Sequence, residues 1–220
     1  MTAEALDPQH VARRVLAEHR SRQLLDAAAR LMEREGSEAV SMQALAAEAG
    51  VSVGLIYRYY GSKDDVLLAV ISDVLDAFAT SVPAAIAEAG EDPVRQLAAA
   101  FSAYCRVIDT HRHAAVLTYR ESKSLDEAGR NQIKQREVET SQPLRDAIHR
   151  GVEAGLLSVT DPDLIAYNLL LLAHAWALKH WYFERSYDLQ TYIERQTAIG
   201  LGALIAPEHR DPYATLLRLT

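Results

Sequence analysis

The sequence predicts an all-α protein in two parts, a small N-terminal head and a larger helical body. Three observations carry this. Apolar residues recur at helical spacing along nearly the whole chain, and no stretch sustains the alternation of a half-buried strand. Cap residues and glycines punctuate that pattern at short intervals before residue 66 and at long intervals after it. No internal repeat or low-complexity linker separates the parts. The expected division is therefore 1–66 and 67–220, with the joint inside a helix rather than in a tether.

A first helix is expected from about Ala17 to Glu35, with Leu24, Leu25, Ala28, Leu31 and Met32 on one face and Gly36 as its stop. Ser41 is placed to cap a short second helix whose Met42, Leu45, Ala46 and Ala49 turn inward, and Gly50 ends it. Ser52 is placed to cap a third, 53–59. Ser62 with Asp65 three residues on is a capping-box pattern that opens a fourth. This one carries Val66, Leu67, Val70, Ile71, Val74 and Phe78 to about Thr80, and Pro83, Gly90 and Pro93 punctuate the next stretch. Helices are then expected at 93–110, 112–120, 126–154, 162–185 and 188–205. Gly151 and Gly155 loosen the end of 126–154, and Asp161-Pro162 is a start signal.

Composition narrows the function. Apolar residues make up 49% of the 220 and charged residues 24%, as in a soluble globular chain. One cysteine, Cys105, allows no internal disulfide and suits a reducing cytoplasm. The first residues lack an apolar core, so no secretory leader is expected. The run 164–183 is long enough for a bilayer, but Asn168, His174, Lys179 and His180 argue for a buried helix and against a membrane span. A net charge of −7 gives no general attraction to nucleic acid, so any DNA contact must rest on a few placed cations. Arg13, Arg14, Arg20 and Arg22, opposed only by Glu18, form the one local excess. They are candidates for an arm reaching a phosphate or a minor groove, and equally for a solvated face.

The stretch AEAGVSVGLIYRYYGSKDDVL, 47–67, does not resemble a core helix. It reads as two short helices joined by a glycine turn, a helix-turn-helix, in which the second helix enters the DNA major groove. Val51 and Ile56 are expected to plug the space between the helices, and Gly54 to let the backbone approach a phosphate. Tyr57, Arg58 and Tyr59 face outward, Tyr60 turns in, and Lys63 lies at the next helix start, where helix amides also attract phosphate.

Residues 20–68, through LLDAAARLMEREG and SMQALAAEAGVSVGLIYRYYGSKDDVL, resemble the DNA-binding domain of the TetR family of bacterial transcription regulators. The core G-V-S-x-G-x-[LI]-Y-x-[YH]-[FY]-x-[ST]-K is present in every element. By this resemblance the DNA contacts are Ser41, Ser52, Val53, Gly54, Tyr57, Arg58, Tyr59 and Lys63. Tyr57, Tyr59, Ser41 and Lys63 are expected on phosphates, and Val53 and Arg58 on base edges. A bidentate arginine–guanine pair gives about 1–3 kcal/mol of discrimination.

The resemblance also implies a C-terminal domain that binds a small hydrophobic effector and forms a homodimer on a palindromic double-stranded operator. The helices at 162–185 and 188–205 are the expected interface. The first is apolar nearly all round. The second offers Leu189, Ile193, Ala198, Leu201, Leu204 and Ile205, with small Gly200, Gly202 and Ala203. For the effector pocket, 103–125 and 166–183 mix apolar bulk with isolated polar groups: Tyr104, Tyr119, Glu121, Tyr167, Asn168, His174 and Trp181, with Trp176 and His180 beside them. The string TYRESKSLDEAGRNQIKQR and the later WYF are similar to TetR-type repressors of fatty-acid and steroid breakdown that respond to acyl-CoA thioesters. That likeness would bring Arg112, Arg120, Lys123, Arg130 or Lys134 to the CoA phosphates.

An enzyme is not expected: the chain has no P-loop, dinucleotide fingerprint or G-x-S-x-G elbow. No cofactor or metal is expected either, since His111 and His113 alternate on a helix and point apart. The expectation is a cytoplasmic, ligand-responsive repressor. The alternatives are a multidrug- or aromatic-compound-sensing repressor of an efflux gene and, further off, a helical enzyme.

Overall fold

Three serines set the beginning of the fold. The computed structural model describes residues 8–218, with side chains from residue 20 onward. Ser41 Oγ accepts from the Ala44 amide at 3.1 Å and opens α2 (Met42–Glu48). Ser52 Oγ accepts from Leu55 at 3.2 Å and opens α3 (Val53–Tyr59). Ser62 and Asp65 exchange both bonds of a capping box, at 3.1 and 2.8 Å, and open α4 (Lys63–Glu88). Between α2 and α3, Gly50 takes φ +66°, a conformation that strains other residues, and the Val51 amide returns to the Ala46 carbonyl at 2.9 Å. Ile56 is fully buried in the angle between the two helices, with Val51 and Tyr60 packed against the same core.

The first helix, α1 (Pro8–Glu35), begins earlier than the expected Ala17. Proline is tolerated in a helix's first turn, and neither glycine nor proline interrupts residues 9–35. Arg13 and Arg14 fall outside the described side chains; Arg20 and Arg22 are exposed. Leu24, Leu25, Ala28, Leu31 and Met32 form the buried face, and Gly36 at φ +83° closes the helix.

The body follows α4 with α5 (Pro93–Thr110), α6 (Arg112–Glu121), α7 (Glu127–Glu153), α8 (Pro162–Leu178), α9 (His180–Phe183), α10 (Leu189–Leu204) and a last turn, α11 (Ala214–Leu217). Among the described residues there is no strand, only an isolated bridge between Leu157 and Ile205. The chain is all-α, and one buried cluster runs from Leu24 through α4 into α5, α7 and α8.

Pro83 does not stop α4, which continues to Glu88 before Gly90 at φ +79° turns the chain. An interior proline costs about 3 kcal/mol or more. Here fully buried Val82 and the packing of Ala85 and Ile86 on the core hold the helix on both sides. Gly151 is not a loosening point but a site of close approach: a Cβ there would sit 2.5 Å from Leu157 Cδ1. The expected helix 162–185 is broken at Lys179 (φ −125°, ψ 29°), which lets the rings of Trp176, His180, Phe183 and Tyr192 pack together. The break leaves α8 with 17 residues. Among the described residues it is α4 that is long and apolar enough to cross a bilayer, and its apolar face is packed in the core.

Much of the apolar stripe expected for a dimer is covered within one chain. Ile193, Ala198, Leu201, Leu204 and Ile205 are buried, with α10 packed against α5. The large apolar side chains still exposed here are Leu164, Tyr167 and Leu171 on α8, Trp181 and Tyr182 on α9, and Ile199 on α10.

Candidate nucleic-acid interface and ligand cavity

The outward surface of α2 and α3 collects the residues expected to meet DNA. Tyr57 and Tyr59 are 53% and 60% exposed, and Arg58 is exposed between them. None of these three side chains has a hydrogen-bond partner among the described residues. Ser41, Ser52 and Gly54 are exposed and Val53 is half-buried against the core. Gly54 is instructive. It sits inside a helix, where glycine costs about 1 kcal/mol relative to alanine. Its φ is unexceptional, and an added Cβ would meet nothing within 4 Å. Nothing among the described residues requires a glycine there, so the surface is open to close approach from outside. Lys63 differs from its neighbours, because its amine donates to the Glu38 carbonyl at 2.9 Å and ties α4 to the loop before α2.

Behind this head lies a partly open cavity of 520 Å³ lined by α4, α5, α6, α7 and α8. Ile71, Val74, Leu75 and Phe78 come from the helix that starts at the head. The expected Tyr104, Tyr119, Tyr167 and His174 all line it. The Tyr104 hydroxyl is already bonded to the Thr140 carbonyl, so this residue offers the cavity its ring. Burial pushes the phenol well above its ordinary value.

His174 donates from Nδ1 to the Leu170 carbonyl at 2.8 Å, and burial lowers its pKa. The neutral imidazole therefore keeps a lone pair on Nε2. Its ring packs edge-on against Tyr119 and Phe78, with centroids 5.5 and 6.0 Å away.

Three other expected pocket residues lie outside the cavity. Glu121 accepts from Ser37 Oγ at 2.5 Å, between body and head. Asn168 faces outward on α8. Trp181 is 58% exposed with the Arg185 guanidinium over its ring. Trp176 is buried and donates to Asp109 at 2.8 Å, and His180 meets Arg112 and Glu184. Of the cations considered for CoA phosphates, only Lys134 lines the cavity. Arg120 and Arg130 donate to the carbonyls of Glu33 and Leu125. His111 and His113 diverge, toward Asp73 and Glu33.

The structure also brings in Thr118, Glu137, Thr140, Ser141, Arg145 and Asp163, which sequence reasoning missed. Arg145 pairs with Asp163 at 2.8 Å, and that bond holds the Asp163 carboxyl below its usual range. Glu137 goes the other way: burial of its carboxyl raises it. The Tyr119 phenol is pushed up to about 12 by burial first, then by the neighbouring Glu137 and Tyr167.

The helix α6 faces both ways. Ala115, Thr118 and Tyr119 line the cavity, while His113 bonds Glu33, Arg120 reaches the Glu33 carbonyl at 3.2 Å, and Glu121 holds Ser37. The cavity is thus walled by two helices that end on the head, α4 by continuity and α6 by side-chain contact.

Comparison with known proteins places these two regions. Residues 24–70 match the profile of bacterial regulatory proteins of the tetR family, and residues 90–185 match the tetracyclin repressor-like C-terminal domain. The HTH-type transcriptional regulator HbdR of Aromatoleum sp. (strain CIB) is 38% identical over 192 residues, covering 87% of this chain and 82% of its own. Two solved structures share the fold. One is the ketosteroid transcriptional regulator KstR2 of Mycobacterium tuberculosis, with TM-score 0.72, 22% identity and coverage of 85% and 95% of the two chains. The other is AibR in complex with isovaleryl coenzyme A and operator DNA, with TM-score 0.69, 21% identity and coverage of 82% and 97%.

Proposed function

The chain belongs to the TetR family of bacterial transcription regulators, and from that premise we propose that it is a homodimeric repressor released from a palindromic operator by a small hydrophobic effector. The observation that carries this is the cavity's position, walled by α4 and α6, the two helices that reach the head. An occupant that favours one arrangement of these helices shifts the population of head positions. Two recognition helices meet successive major grooves about 34 Å apart, so a modest change in spacing lowers affinity. A coupling of about 1–3 kcal/mol changes it roughly five- to 150-fold.

Ser41, Ser52, Val53, Gly54, Tyr57, Arg58, Tyr59 and Lys63 would form the DNA face, with Arg58 and Val53 on base edges. For Lys63 to hold a phosphate, that contact would replace or share its bond to Glu38. The second copy would cover the apolar residues left open on α8, α9 and α10.

The effector class we propose is an acyl thioester. Its acyl group would fill the cavity, and its nucleotide would remain outside with Lys134 near the rim. AibR, solved with a coenzyme A thioester, supports the class. The aromatic lining of Phe78, Tyr104, Tyr119 and Tyr167 also favours a second reading, a ring-bearing compound sensed without coenzyme A.

Fluorescence anisotropy on DNA upstream of the protein's own gene tests the proposal, titrated with salt and then with acyl-CoA thioesters and the matching free acids. Release by a thioester and not by its acid is expected. Equal affinity for both removes coenzyme A from recognition, and operator binding that no thioester disturbs leaves the regulator and discards this effector class.

A further inference from the structure

Most polar groups around the cavity are already engaged. Thr118 Oγ1 donates to the Ala114 carbonyl at 2.9 Å, Thr140 Oγ1 to Arg136 at 2.9 Å and Ser141 Oγ to Val138 at 2.7 Å. The Tyr104 hydroxyl is held by the Thr140 carbonyl, and Arg145 by Asp163. These groups complete their own helices and offer an occupant little.

Five lining groups have no hydrogen-bond partner among the described residues: the Tyr119 and Tyr167 hydroxyls, the Glu137 carboxyl, His174 Nε2 and the Lys134 amine. Tyr119 and Tyr167 are 46% and 62% exposed, so their rings stand open beside the cavity. Glu137 lies close enough for its charge to act on the Tyr119 phenol, and so does Tyr167. Glu137 and His174 Nε2 are acceptors, whereas each phenol both donates and accepts. A plain alkyl or aryl group leaves this cluster unmatched, and an anionic group is repelled by Glu137. A hydroxyl donates to the carboxylate or the imidazole and accepts from a phenol.

We propose that Glu137, with Tyr119 and Tyr167, selects an effector that carries a neutral hydroxyl on its apolar body. This rests on the cavity being the effector site but not on the effector being a thioester. Glu137 is exposed at the cavity, and an occupant that covers it without offering a donor takes its carboxylate out of water unmatched, so the preference for a donor is strong. Crowding by the surrounding protein holds the Glu137 carboxyl above its usual range, which increases its gain from an incoming donor.

The test is titration calorimetry on the full chain. The probes are octanoyl-CoA with its 3-, 6- and 8-hydroxy derivatives, and cyclohexanol against cyclohexanone, which keeps an acceptor but lacks the donor. The best hydroxy derivative is expected to bind at least about tenfold tighter than octanoyl-CoA, and cyclohexanol tighter than cyclohexanone. Glu137→Leu should erase both preferences without weakening octanoyl-CoA, whereas Glu137→Gln, which keeps an acceptor oxygen, should retain part of them.

The inference is overturned if no hydroxy derivative exceeds its parent, if the preference survives Glu137→Leu, or if no probe binds. Tighter binding of tetraethylammonium that depends on Glu137 would also overturn it, by making the site a cation receptor. A Glu137-dependent preference for cyclohexanol with no thioester bound would uphold the inference and sink the thioester reading. Thioesters that release the operator with no hydroxyl preference would do the reverse.

Discussion

On α3, Tyr57, Arg58 and Tyr59 project from the protein with no hydrogen-bond partner among the described residues, while around the cavity the hydroxyls of Tyr104, Thr118, Thr140 and Ser141 are turned onto backbone carbonyls. The head is a presented surface. Local devices, three serine caps and one glycine turn, position these three side chains and leave them turned outward. The cavity is an assembled space, with walls drawn from α4 to α8, and many of its polar groups are already claimed by the protein. On the proposed function, contact with DNA would be altered residue by residue, whereas effector recognition would rest on a small cluster and on the packing behind it.

The largest expected effect breaks the head alone. Ile56→Ala removes the fully buried plug between α2 and α3 and should cost about 2–5 kcal/mol of stability, read by denaturant unfolding, with operator binding lost. Effector binding should persist in calorimetry, and its loss would mean that head and cavity are not separable. Next, Arg58→Ala should cost about 1–3 kcal/mol at one base position and relax preference there, read by competition among operator variants. A smaller and different effect is expected for Tyr57→Phe: weaker binding to all operators, with sequence preference kept. A change of preference without a change of overall affinity would reverse the roles assigned to Tyr57 and Arg58.

This contrast also explains how much was legible. The head could be read because its signals are local: Ser41, Ser52, Gly50 and the Ser62–Asp65 box act within a few residues of themselves. Tyr104, Tyr119, Tyr167 and His174 could be picked out because bulky rings that carry a polar atom are unusual on apolar helices. Glu137 and Arg145 could not. On α7 they read as a solvated charged face, and only the packing of α4 and α8 against that helix brings them to the cavity. Glu121 misled for the same reason. It lies in the right helix, but its carboxylate goes to Ser37 across the head, a contact that no local pattern announces. The break at Lys179 was hidden too, because the ring cluster behind it involves Tyr192 on a different helix.

Two weaker effects are expected on the cavity side. His174 is half-buried and desolvation lowers its pKa, so below its ordinary value of about 6.5 the unfolded chain binds the proton more readily than the folded one. Stability should then fall as pH drops through about 6.5, and His174→Gln should flatten that slope in thermal unfolding. If the variant keeps the full slope, the loss comes from other groups. Ser37→Ala removes the bond to Glu121 and should leave operator affinity nearly unchanged while reducing effector-driven release a few-fold. Unchanged release would assign the coupling to α4 rather than α6.

The central claim is that effector in the cavity moves the two heads of a dimer relative to each other. The direct measurement is the distance between spin labels on Arg30→Cys, an exposed position on α1, by pulsed dipolar spectroscopy on protein bound to operator and then to an effector that releases it. The one native cysteine, Cys105, is fully buried and its thiol is pushed up to about 12, so it should stay unlabelled. One distance distribution on the operator and a shifted one with effector is the predicted result. The same distribution in both states, with the operator released, would contradict the account.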